Sequence, residues 1–166
     1  MLEKERARGV EARDHYIAPR FLVISLLEDL AQLCGGLLDS GQATPRETAL
    51  HILRDRLGLS GVGLFSAENP TRLASAGIPS EAETLLVRDG ANGLLARAST
   101  EKRIFLLGRG STEPCMVGFR ELGLDCQVLA LVPLMVGADV SSVLVLIARD
   151  GTKLSPGLLD TLHPVF

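Results

Sequence analysis

Val128–Ala148 reads VLALVPLMVGADVSSVLVLIA. Two apolar arms flank Gly137-Ala138-Asp139, and a polar break of that length closes an antiparallel hairpin. Both arms are almost continuously apolar rather than alternating, so the hairpin is expected to be covered on both faces. It belongs in the centre of a layered domain, and the rest of the chain has to supply the two covers.

Working back toward the N-terminus, Gly108–Leu122 reads as an irregular connection with one helical turn near Phe119–Leu122. Before it, Lys102–Leu107 reads as a strand and Ala91–Ser99 as a helix entered through Asp89-Gly90. Thr71–Ala76 and Gly61–Ala67 are strands joined by the turn Glu68-Asn69-Pro70. Thr44-Pro45-Arg46-Glu47 supplies a helix start, with Thr44 as cap, Pro45 in the first turn and Glu47 closing a capping box. Ala49, Leu50, Leu53 and Leu57 give that helix a buried stripe, and Gly58 ends it. Ser80–Glu83 has the form of a second capping box ahead of the short segment 84–88. A longer helix is expected over Pro19–Asp39, and a last one starts at Ser155-Pro156. Residues 1–18 are dense in Glu and Arg and form a charged helical lead-in, leaving 19–166 as one domain.

The order of elements, with antiparallel hairpins rather than repeated βαβ units, is α+β. We expect three layers around a central antiparallel sheet of five or six strands. Terminal helices would cover one face, and a short helix and loops the other.

Composition bounds the function. With 166 residues, 46% hydrophobic and 22% charged, the chain is of ordinary globular make-up and long enough for one real core. A formal charge of -3 argues against nucleic acid as a partner, since phosphate binding needs a basic face. No apolar run reaches the roughly 20 residues that span a bilayer. Cys34, Cys115 and Cys126 make an odd count without a CxxC pair, as in a reduced cytoplasmic protein. His15, His51 and His163 are scattered without ligand spacing, so no metal site is expected.

Several pieces, taken in order, resemble a GAF domain. They are Leu57-Gly58-Leu59-Ser60 leading into Gly61-Val62-Gly63-Leu64-Phe65, then Thr71–Gly77, and Gly93-Leu94-Leu95-Ala96-Arg97-Ala98 before the strand at Arg103. Leu129–Leu134, Val136–Asp139, Val143–Leu146 and Leu154-Ser155-Pro156 follow. The resemblance runs from about Leu30 to the end. It implies a GAF/PAS-like layered fold and a bacterial sensory module of signal transduction. Such a module binds a small molecule or relays a signal through dimerising terminal helices to an output domain in a longer protein. On that reading Leu26, Leu30 and Leu33 mark the homodimer helix, and the chain itself is not an enzyme. The Asn-Lys and Asp-Glu elements of cyclic-nucleotide-binding relatives and the Cys-His pair of photoreceptor relatives have no counterpart here. With five Phe, one Tyr and no Trp, a large planar cofactor would find little to stack on, and no cofactor is expected.

A pocket, if built, belongs between the sheet and the Ala91–Leu122 cover. Its candidate lining is Leu94, Leu95, Phe105, Met116, Phe119 and Leu122, with Val128 and Ala130 from one face of the hairpin. The competing reading of each is plain core. Arg97, Arg103, Arg109 and Arg120 fall in the same cover and suit an anionic ligand, or else a solvated surface. Two alternatives compete with the sensor: a ligand-free GAF dimerisation scaffold, and a thiol-based redox sensor or an enzyme like free-methionine sulfoxide reductase, acting through Cys115 and Cys126. The spacing of those cysteines does not reproduce the reductase pattern, and buried inert thiols are the plainer reading.

Overall fold

A computed structural model describes residues 44–150 and Leu154. It contains α1 (Pro45–Leu57), β1 (Gly61–Ser66), β2 (Arg72–Ala76), α2 (Ser80–Val87), a 3-10 turn (Gly90–Asn92), α3 (Leu94–Glu101), β3 (Phe105–Gly108), α4 (Pro114–Glu121), β4 (Val128–Val136) and β5 (Asp139–Ala148). The five strands form one sheet in the order β2-β1-β5-β4-β3, and every neighbouring pair is antiparallel. The α+β class and the five-stranded antiparallel sheet are as the sequence predicts. The lead-in 1–18, the helix 19–39 with Leu26, Leu30 and Leu33, and the helix from Ser155 lie outside the described residues.

The hairpin is the middle of the sheet. Val128–Val136 pairs with Asp139–Ala148 around Gly137, whose φ of 65° suits the turn. Pro133 is tolerated because β3 pairs with β4 only from Val128 to Leu131, so the proline lies past the end of β3. β5 then carries β1 on its other side, Gly61 opposite Ile147 through to Ser66 opposite Ser142.

Alternation along the strands splits the interior into two cores. On one face Leu50, Leu53 and Leu57 of α1 join Val62, Ala74, Ala76, Ala130, Val132, Leu144 and Leu146. On the other, Phe65, Leu129, Leu131, Val143, Val145 and Ile147 meet residues of α2, α3 and α4. The α1 helix is placed by its ends. Thr44 and Glu47 form the reciprocal capping box. At the far end Gly58, at φ 63°, lets its own N–H and that of Leu59 reach back to Asp55 and Arg54, a Schellman closure.

The second cover differs from expectation in four places. Pro114–Glu121 is a full eight-residue helix rather than an irregular loop. Pro114 occupies its first turn, where a missing N–H costs nothing, and Cys115, Met116 and Phe119 share its buried face. Lys102 is not strand but the left-handed residue ending α3, at φ 50°, so β3 starts at Phe105. The segment entering α3 is a separate 3-10 turn. Ser80 lies inside α2, whose cap is Pro79, and no capping box forms there.

Candidate functional site

A cleft of about 180 Å³ opens where α2 ends, the 3-10 turn passes, and α3 and α4 begin. Leu85 and Leu86 come from α2, and Asp89, Asn92 and Gly93 from the turn. Leu94 and Arg97 come from α3, and Glu113, Pro114 and Cys115 from the entry to α4. Each arrives because a helix terminates there, and helix ends expose backbone and polar side chains that a helix middle hides.

Arg97 is the organising side chain. Its Nη1 donates to Oε1 of Glu113 at 2.8 Å, tying α3 to the start of α4 across 16 residues of sequence. Its Nε lies 3.8 Å from Glu101, and its guanidinium stands 5.2 Å from the centre of the Phe105 ring. The hydrogen bond to Glu113, and then that carboxylate's charge, raise the Arg97 pKa, so the cation is fixed. Arg103 approaches the same ring at 4.7 Å and pairs with Glu101 at 2.5 Å. Two cations and one shared carboxylate thus frame Phe105, which is itself buried.

Beneath the cleft, large apolar side chains are buried against the sheet. Phe65, Phe119, Leu95 and Met116 are all under 2% exposed. Of the sequence candidates, Leu94, Arg97 and Cys115 line the cleft. Phe105, Met116 and Phe119 are packed core of the same layer. Three do not belong there. Leu122 is 53% exposed at the end of α4. Val128 and Ala130 point to the opposite face and pack with the α1 core. Leu129 and Leu131 hold the positions they were expected to fill. Parity explains the error: an unbroken apolar strand does not say which alternate set faces which cover. Arg109 and Arg120 lie away from the cleft, and Arg120 Nη1 donates to the carbonyls of Arg109 and Ser111. The sequence reading missed Leu85, Leu86, Asp89, Asn92 and Glu113; the Glu113-Pro114 helix entry was the signal that would have found the last.

Cys115 and Cys126 are both free and buried. Burial pushes the Cys115 thiol up to about 11, with Glu113 adding to it, and pushes Cys126 to about 12, with Cys115 next in effect. At neutral pH both are protonated, whereas the nucleophile in thiol chemistry is the thiolate. Among the described residues no group of three or more His, Cys, Asp or Glu converges to hold a metal ion. Nor, among them, is any helix long and apolar enough to cross a membrane.

No family model matches the sequence, and no curated protein matches it either. Solved structures do match in shape. The GAF domain of a phosphoenolpyruvate-protein phosphotransferase from Coxiella burnetii superposes with a TM-score of 0.57 at 16% identity, covering 86% of this chain and 88% of that one. A GAF domain region from Geobacter sulfurreducens gives 0.58 at 11% identity, covering 86% and 91%. The type II free methionine-R-sulfoxide reductase of Thermoplasma acidophilum gives 0.56 at 13%, covering 72% and 83%. GAF domains and a reductase share this shape, so the shape alone does not say whether a chain is catalytic. The likeness does carry one statement: the chain has a GAF-like fold.

Proposed function

We propose that the chain is a non-catalytic regulatory GAF module whose sensory element is the cleft around Arg97. The observation that carries this is the meeting of three helix ends at an open, mixed polar and apolar cleft, above the buried side chains of Phe65, Phe119 and Met116. At about 180 Å³ the cleft is smaller than the roughly 300–1,000 Å³ of drug-sized sites, so its ligand has only a few heavy atoms. Such a ligand would contact α2, α3 and α4 together and exchange partners with the Arg97–Glu113 pair. It regulates only if it binds one arrangement of those helices better than another. The readout we assign to a homodimer through the terminal helices and an output domain in a longer, cytoplasmic protein.

Thermal unfolding of the 166-residue chain against amino acids, short carboxylates and inorganic oxyanions tests the reading. One of them should raise the melting temperature, and Arg97→Ala should abolish the rise. If none does, the ligand-free scaffold replaces the sensor. That second reading is favoured by one observation, the full burial of Phe65, Phe119 and Met116 beneath the cleft. The thiol-enzyme reading has less support, because both thiols are held protonated.

A further inference from the structure

Among the described residues the sheet ends at β3, and no strand pairs with its outer side. Leu106 is 39% exposed, and a side chain added at Gly108 or Gly110 would meet nothing within 4 Å. In an antiparallel pair, alternate residues turn their N–H and C=O away from the partner strand, so β3 presents backbone groups outward, although the Gly108 carbonyl already accepts from the Ser111 N–H at 2.9 Å. The opposite edge is protected differently. There β2 carries Arg72, neutralised by Glu83 at 2.9 Å, and a register irregularity interrupts its pairing with β1. β3 has none of these devices: its four residues are uncharged, and its register with β4 is regular.

Cations stand at both ends of this edge strand. Lys102 and Arg103 precede it, and Arg109 follows it, with Arg120 held against Arg109 by that residue's carbonyl. Among the described residues, Lys102 and Arg120 are satisfied by carbonyls rather than carboxylates, and Arg109 has no acidic partner. Arg103 is paired with Glu101 at 2.5 Å, so the positive charge left without a carboxylate beside this edge comes from Lys102, Arg109 and Arg120, in a chain whose net charge is -3. Arg103 and Arg109 are six residues apart, about 20 Å along an extended strand.

We propose that the free edge of β3 docks an extended peptide segment of a partner protein as a sixth strand. The segment carries acidic residues on both sides of a short uncharged, β-forming centre. Main-chain bonds to β3 would hold it, and the flanking carboxylates would select it by pairing with the cations at each end.

The test uses the 166-residue chain and two labelled probes, the peptide DEVTVTVDE and its basic counterpart KKVTVTVKK. By fluorescence anisotropy at low salt the acidic probe should bind at least about tenfold more tightly, and added salt should narrow the gap. Hydrogen exchange should show amides of Leu106–Gly108 protected in its presence. The double variant Arg103→Glu, Arg109→Glu, checked for folding by circular dichroism, should lose that preference or reverse it. Equal binding of the two probes, no binding, or protection elsewhere than β3 overturns the proposal. So does concentration-dependent protection of β3 without peptide, which would make a second copy of the chain the occupant.

Discussion

Arg97 shows how much one side chain can organise while stabilising little. It touches Glu113, Glu101 and the Phe105 ring, yet its side chain remains 40% exposed, and water competes for every one of those contacts. Glu113→Gln should therefore lower the urea midpoint only slightly, with the shift shrinking as salt is added. The thiols beside it are the reverse case, buried and silent. Raised pKa values mean that the folded state keeps protons the unfolded chain releases. Their contribution to stability is full below the ordinary thiol value of 9.0 and is lost as pH climbs through about 11 and about 12. Alkylation of Cys115 and Cys126, mapped by mass spectrometry, should be slow in the native chain at pH 8 and fast once urea unfolds it. Fast native modification at that pH would show that the cover layer opens.

Among the elements, β1 is the one whose sequence is most constrained by its neighbours. Gly61, Gly63 and Phe65 share the face that turns toward α2, α3 and α4, and the Phe65 ring lies back along the strand over Gly63. A Cβ at Gly63 would stand 2.8 Å from that ring and 2.7 Å from the tip of Ile78. The ring is fully buried and has nowhere to move. Gly63→Ala should thus destabilise the chain by about 1–3 kcal/mol, measured by denaturant unfolding, although alanine suits an exposed strand no worse than glycine. This kind of constraint was not legible in the sequence, where GVGLFS reads simply as a strand. The hairpin and α1 were legible, because a Gly-Ala-Asp break and a Thr-Pro-Arg-Glu start are local chemistry. α4 was not, because Gly118 in its middle and the glycines before it resemble loop. That glycine is there for packing: a Cβ would come within 2.7 Å of Leu85 on α2. The faces taken by Val128 and Ala130 were equally hidden. They depend on the register of β4 against β3, which puts Phe105 opposite Leu131.

For the molecule as a whole, the hairpin is a wall common to two cores. β4 and β5 give Leu129, Leu131, Val143, Val145 and Ile147 to one side, and Ala130, Val132, Leu144, Leu146 and Ala148 to the other. Neither cover can leave without exposing apolar strand surface that the other still buries on its reverse, so the two layers should unfold together. Phe119→Ala tests this from the α4 side. The ring is 1% exposed, and its loss should cost about 3–5 kcal/mol through lost transfer energy and the cavity left behind. Far-UV circular dichroism follows the whole fold in urea, while the reactivity of Cys115 and Cys126 follows the α4 layer alone. In the wild-type chain the two midpoints should coincide, and in Phe119→Ala both should fall by the same amount. If thiol reactivity moved to lower urea while the dichroism midpoint stayed, the cover would be a separately melting unit. The sheet would then insulate the Arg97 cleft from the opposite face rather than couple it to that face.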